Sequence, residues 1–293
     1  MVGQSIQLDK KQALSILGVS LTIGLFIGFG IDSFRRPEYI LWATSGAKYA
    51  NEAGFLALVT LFLVFSLKTP WRWLAIAACF GFIVMTGSKS SLIGLASGVG
   101  ILTLVQYSAT HSVKRLLFGV GGLVIIAICA SIYFSGDPIH LSVEQPRIDL
   151  LSHGLKIAEH DNWLGRGEQQ FSKQEIENLP QWLPLGHGFF AFSIQNMVPT
   201  HGSYNVPFHN LFMHALVEHG IAGLVALLLF FALPAIIFFT SPSHTFEVAI
   251  GLAIWSAFCI HSFFELGLYN ASAILMGLVA GLTGIFNNKR DEL

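Results

Sequence analysis

Charge is scarce in this chain. Asp, Glu, Lys and Arg make up 11% of its 293 residues, while hydrophobic residues make up 53%. Soluble domains carry about a quarter charged residues, so a chain this poor in them would leave much apolar surface in water. An ordinary soluble fold is excluded, and an all-α polytopic membrane protein is expected. An excess of basic charge is missing as well. The formal net charge is −1, which points to no nucleic acid partner and to no basic tail for anionic lipids. Cysteine is rare: Cys79, Cys129 and Cys259 each sit in a separate apolar run, with neither a disulfide framework nor zinc-ligand spacing. A small-residue cleavage site is also lacking after Met1–Lys11, and the apolar stretch that follows, about 20 residues, is longer than a signal-peptide core. It reads as a retained first helix. No repeat, low-complexity tract or second soluble domain interrupts the chain, so residues 1–293 form a single integral membrane domain.

Apolar stretches of about 17 to 25 residues suit membrane-spanning helices, and eight candidates lie near 12–31, 52–67, 71–87, 90–108, 115–134, 218–240, 247–264 and 270–286. With the N-terminus cytoplasmic, Lys10, Lys11, Lys68, Arg72, Lys114, Arg115, Lys289 and Arg290 fall on the inner side, as the positive-inside rule requires. Both termini are then cytoplasmic. The C-terminal Arg290-Asp291-Glu292-Leu293 resembles a lumenal retention signal, but on this topology no lumenal receptor meets it. The outer side receives residues 32–51, the turn at 87–89, a long external segment at 135–208 and the turn at 265–270. Within the external segment, Pro146 suits a first helical turn, and Ile148, Leu151, Leu155 and Ala158 share one face of a short helix ending near His160. Asn162–Gly167 reads as a turn, and Leu183–Pro207, rich in Gly, Pro and aromatics, as irregular chain covering the membrane surface.

Titratable residues crowd that outer rim. Ionisable groups at membrane depth are costly and mark function, with capping or stacking as the alternative. In Pro207–Leu224, His209 can take or give a proton near neutral pH, and Asn210 beside it can orient a polar partner. His214 and Glu218, four apart, share a helical face, whereas His209 stands five before His214. That spacing lacks the histidine pair at i and i+4 with glutamate between that a zincin-type helix uses, so neither a metal nor another cofactor is expected. Lys89 lies among small hydroxylated residues in Thr86-Gly87-Ser88-Lys89-Ser90-Ser91 at the opening of the fourth span. It can help a helix N-terminus cradle a diphosphate, or it can snorkel to the interface. Arg147 and, less directly, Arg166 offer guanidinium groups suited to phosphate oxygens, though external arginines also serve as solvated charges. His261 and Glu265, four apart near the end of the seventh span, suit an interhelical ion pair or a support for the site.

Taken together these segments resemble the bacterial O-antigen ligase and O-antigen polymerase family. The resemblance rests on Gly46–Ala53 with Asn51, on Thr86–Ser91, on Arg147–Gly167 with its Leu-Gly-x-Gly turn, on His209-Asn210-Leu211 followed by Glu218-x-Gly220-x-x-Gly223, and on His261–Glu265. It implies transfer of a glycan from an undecaprenyl-diphosphate carrier to an acceptor hydroxyl on lipid A core, a growing polysaccharide or a protein, at the periplasmic face of the bacterial inner membrane. His209 is then the general base and Glu218 its catalytic support. Lys89, Arg147 and Arg166 hold the diphosphate, with Asn51, Asn210 and His261 completing the substrate site. Two departures stand out: members usually carry further helices ahead of the first one here, and lysine at position 89 replaces a usual arginine. The alternatives are a transporter or flippase of an anionic or lipid-linked solute, and an inactive member of a glycan-assembly complex. A transporter should spread polar residues through the helices to the inner face, and here they gather at the outer rim.

Overall fold

The computed structural model describes residues 10–35, 50–67, 69–86, 88–110, 117, 119–123, 126, 144–167, 210–240, 246–263 and 271–283. Their regular structure is helical throughout, with no strand among the described residues. The helices are α1 (Lys10–Arg35), α2 (Ala50–Phe65), α3 (Arg72–Met85), α4 (Lys89–Thr110), α5 (Glu144–His160), α6 (Leu211–Thr240), α7 (Phe246–Ser262) and α8 (Ala271–Thr283). Two of them are long and apolar enough to cross a membrane, over Lys89–Tyr107 and Leu211–Phe238. The apolar stretches of α1, α2, α3, α7 and α8 are shorter. At about 1.5 Å per residue, α2 rises roughly 24 Å, less than the ~30 Å of a bilayer core. Of the expected span at 115–134, residues 117, 119–123 and 126 are helical, and its other residues lie outside the described ones.

The core is built around α2 and α7. Phe55, Leu58 and Phe62 of α2 and Ile250, Ile254 and Phe258 of α7 are enclosed almost completely. Helix α2 packs against α1, α3, α4 and α7, while α7 also meets α6 and α8. Close approach of α4 to α7 depends on two glycines one turn apart. A Cβ at Gly94 would stand 3.2 Å from the Ala257 carbonyl, and one at Gly98 would stand 3.0 Å from the Ala253 carbonyl and collide with the Phe62 ring. Small residues at this spacing let helix backbones meet, as in membrane bundles. Ser97 and Ser256 join their hydroxyls across the same seam. Replacing Gly98 by leucine is therefore expected to destabilise the bundle by about 1–3 kcal/mol or more through overpacking. Gly100→Ala, where a Cβ would meet nothing within 4 Å, is expected to be neutral or slightly stabilising. Thermal unfolding of the purified variants in detergent distinguishes the two.

Helix α6 was expected to begin near residue 218 and instead begins at Leu211. It also changes character at Gly220, whose φ of 69° and ψ of −166° interrupt the helix. From Asn210 to Glu218 the side chains are buried, apart from a half-buried Met213. Beyond the break, Ile221, Val225, Leu228, Leu229, Leu233 and Ile236 are exposed. The second half, Ile221 to Thr240, is roughly 30 Å long at an α-helical rise and carries an apolar outer face, which suits contact with lipid hydrocarbon. The break thus separates a half-helix enclosed by protein from a half-helix at the periphery. The expected inner face of α5 holds at Ala158, which is buried, but not at Leu155, which is 46% exposed, while Gly154 and Ile157 are buried instead. Their small or compact side chains let α5 lie close to α6, its neighbour in the bundle.

The two ends of the bundle differ chemically. At one end the Phe65 ring meets both Trp73 and Phe246, joining the end of α2 to the starts of α3 and α7. Trp71 and Trp73 are exposed there, and the Arg72 guanidinium lies 4.8 Å from the Trp73 ring centroid. Amphipathic aromatics beside a basic residue suit a membrane–water boundary. The opposite end carries the polar residues.

Candidate functional site

At that opposite end, the starts of α2, α4 and α6 and the end of α7 come together. The turn between α3 and α4 is built from hydroxyl groups. The Thr86 hydroxyl donates to the Ile83 carbonyl at 2.7 Å, and the Ser88 hydroxyl caps α4 by accepting the Ser91 N–H at 3.2 Å. Ser88 also shares hydrogen bonds with the hydroxyls of Ser90 at 3.0 Å and Ser91 at 2.8 Å. All four residues are buried. They close against α2 because Gly54 has no side chain: a Cβ there would lie 2.6 Å from Ser91 Oγ and 2.9 Å from Thr86 Oγ1. Lys89, the first residue of α4, is half-buried beside this cradle.

His261 reaches the same cradle from the last turn of α7. Its Nδ1 lies 3.2 Å from Ser90 Oγ, and its ring stacks on Phe55 of α2 with centroids 4.7 Å apart. It is buried, so its ring orientation is set by the serine on one edge and the phenyl face on the other. Helix α6 joins through Phe212, whose ring stacks on Phe263 just beyond α7 at 4.3 Å. Asn210 caps α6, its Oδ1 accepting the Met213 N–H at 2.9 Å. One turn further in, His214 Nε2 lies 3.2 Å from Glu218 Oε2, and both side chains are almost wholly enclosed. The i,i+4 spacing thus sets an imidazole beside a carboxylate inside the bundle.

Helix α5 docks on the same half-helix. After α5, Asn162 and Trp163 adopt positive φ, as do Gly165 and Gly167. Arg166 N–H donates to the Val217 carbonyl at 3.0 Å, Gly167 N–H to the Glu218 carbonyl at 2.9 Å, and Ile221 N–H to the Trp163 carbonyl at 2.9 Å. Arg166 Nε donates to Asp161 Oδ2 at 2.7 Å. Burial works against the Asp161 carboxylate, but the hydrogen bonds and charges of Arg166 and His160 outweigh it and hold its pKa below the ordinary value.

The expected site residues divide accordingly. Lys89 and His261 share one cluster, and Asn210 and Glu218 belong to the half-helix packed beside it. Arg166 lies on the docking turn, with its Nε engaged by Asp161. Arg147 occupies the first turn of α5 and Asn51 the first turn of α2, while their side chains lie outside the described residues. His209 and Glu265 lie outside them as well. Sequence reasoning passed over Ser90 and Phe55 as the partners of His261 and did not foresee the crossing of Gly165 and Gly220. The serine-rich run and the two Gly-flanked motifs were the available signals. No protein-family model matches this chain, and no curated protein does.

Proposed function

We propose that this chain is an inner-membrane glycosyltransferase of the O-antigen ligase or polymerase type, with about eight spans, both termini cytoplasmic and the hydroxyl-rich end facing the periplasm. The observation that carries this reading is the gathering of Gly54 and Phe55, Thr86–Ser91 and His261 in direct contact, with the capped start of α6 stacked against the end of α7. These segments are far apart in sequence: Thr86–Ser91, Asn210 and His261 fall within motifs that resemble that family, and Gly54 and Phe55 directly follow the motif that ends at Ala53.

The chemistry needs a diphosphate anchor at headgroup level and a base for the incoming hydroxyl. Lys89, at the start of α4, combines its ammonium with the helix dipole to favour the anion, and Arg147 on α5 adds a guanidinium. Negative charge grows on the leaving diphosphate as the anomeric C–O bond breaks, and these cations stabilise it more in the transition state than in the bound donor. His209, next in the chain to the capping Asn210, removes the proton of the acceptor hydroxyl as its oxygen bonds to the anomeric carbon from the opposite face. One displacement inverts the anomeric centre and releases undecaprenyl diphosphate with the bonding electron pair. Glu218 is fully enclosed against His214, so it acts as a positioning residue for the half-helix that follows the base.

A second reading has one observation in its favour. A buried histidine–glutamate pair beside a break in a long apolar helix also suits a proton-coupled transporter of an anionic solute. Electrophoresis of surface glycan together with the lipid-linked precursor pool separates the readings, comparing a deletion strain with one carrying the wild-type chain. Full-length precursor without surface glycan in the deletion strain identifies a ligase, and glycan stopped at one repeat identifies a polymerase. Unchanged glycan and precursor, with loss of pH-gradient-driven solute uptake, would establish the transporter instead.

A further inference from the structure

We propose that the Trp163–Gly167 turn is a backbone clasp that holds α6 broken at Gly220, and that Gly165 and Gly220 are positioning residues for the half-helix carrying Asn210, His214 and Glu218. The inference rests on the reading of that half-helix as part of a transferase site.

An interrupted helix leaves carbonyls and N–H groups without their intrahelical partners, and inside a membrane protein each must be satisfied by other protein groups. Here the external turn supplies them. The carbonyls of Val217 and Glu218, on the approach to the break, receive N–H groups from Arg166 and Gly167, and the N–H of Ile221, just past it, is received by Trp163. The turn therefore supplies three hydrogen bonds around one interruption, to groups on both sides of it.

This geometry requires glycine twice. A Cβ at Gly165 would collide with the Gly220 nitrogen and lie 2.7 Å from the Glu218 carbonyl oxygen, while a Cβ at Gly220 would lie 2.5 Å from the carbonyl oxygens of Trp163 and Leu164. Both glycines also have positive φ, at 81° and 69°. The contacts are backbone against backbone, so no rotamer change relieves them. Trp163 is itself held at φ 62°, an unfavourable conformation for a bulky side chain, typically costing about 1–3 kcal/mol. A turn kept in such a conformation persists only when its surroundings over-determine it, and the Ile221 hydrogen bond together with the Arg166–Asp161 pair does so.

The consequence is a rigid link between α5, which carries Arg147, and the backbone of Glu218. The backbone of α5 and the half-helix that carries the His214–Glu218 pair are thereby held together by hydrogen bonds outside either side chain of the pair. Without the clasp, the chain on both sides of Gly220 gains freedom, and the half-helix can shift against α7.

Hydrogen exchange on the full-length protein in nanodiscs tests this, alongside kinetics of transfer from an undecaprenyl-diphosphate-linked glycan. Gly165→Ala is compared with Gly277→Ala, where a Cβ would meet nothing within 4 Å. Asp161→Asn, which weakens the hold on Arg166 without adding bulk, serves should the alanine variant fail to fold. In Gly165→Ala, the amides of Arg166, Gly167 and Ile221 are expected to exchange about tenfold faster or more, with α4 and α7 unchanged. Asp161→Asn should give a smaller change at the same amides. Turnover should fall in both while KM for the donor stays near its wild-type value. Unchanged exchange at those three amides overturns the clasp, and faster exchange with unaltered turnover overturns its positioning role. A wild-type protein without transfer activity removes the transferase reading, and the exchange pattern then decides the clasp by itself.

Discussion

Replacing Glu218 by alanine is expected to cost about 3–5 kcal/mol of stability, the range for removing one partner from a buried pair of ionisable groups. The expectation follows from the enclosure of the pair. Glu218 has no exposed side-chain surface and His214 almost none, so water cannot take the place of the missing carboxylate. Glu218→Gln keeps a hydrogen-bond acceptor near His214 Nε2 and is expected to cost less, about 1–3 kcal/mol. The double variant His214→Leu, Glu218→Leu supplies the decisive comparison. Buried ion pairs can be exchanged for apolar residues of similar volume at little cost, so this protein should regain most of the stability lost in Glu218→Ala. If it is folded and still transfers glycan at the wild-type rate, the pair has no part in function. Thermal unfolding in detergent measures the first effect and transfer kinetics the second.

On the proposed transferase reading, replacing His209 by alanine is expected to lower the rate of transfer by about 10²–10⁴-fold, the usual contribution of general base catalysis. The argument is chemical: an acceptor hydroxyl is a weak nucleophile, and His209 is the imidazole that directly precedes the helix-capping Asn210. Asn210 holds the start of α6 through the Met213 N–H, and Phe212 fixes that start against Phe263. The helix that follows His209 in the chain is therefore well anchored at its start. The variant should keep wild-type stability and donor affinity, because the cap and the cationic groups are unaltered. A single-turnover assay with lipid-linked donor and acceptor over pH 5–9 reads the effect. Loss of activity toward acid pH in wild type, absent from the profile of His209→Ala, is the expected signature. A variant with undiminished rate removes His209 from the mechanism.

Much of the bundle was legible in the sequence because apolar length is a direct physical signal. The runs that began α1, α2, α3, α4, α7 and α8 correspond to helices within a few residues of their expected bounds. Pro146 in the first turn of α5 and the turn at Asn162–Gly167 were equally legible, since proline and glycine restrict backbone conformation locally. The start of α6 was not. Its first half carries His214 and Glu218 and is less hydrophobic than a span, so a scan for apolar length begins too late. Its helical state depends on the Asn210 cap and on enclosure by neighbouring elements. The buried face of α5 was legible at Ala158 and misjudged at Leu155 for a related reason: side-chain hydrophobicity favoured Leu155, whereas close packing against α6 favoured Gly154.

The candidate site divides in the same way. Its residue types were visible as an accumulation of histidine, serine, lysine and glutamate in an otherwise apolar chain, because such groups are costly near hydrocarbon. The i,i+4 relation of His214 to Glu218 was also visible, since helical period alone places them on one face.

By itself, then, the sequence determined an all-helical chain, the positions of most of its helices and the segments rich in polar chemistry, all consequences of local hydrophobicity and backbone preference. Tertiary structure alone decided that His261 meets Ser90 and Phe55, that Gly54 lets α2 close on the serine cradle, and that the turn after α5 crosses α6 where Gly220 interrupts it. These contacts join residues distant in the chain. They depend on which helix backbones can approach one another, and that is settled only when the whole bundle packs.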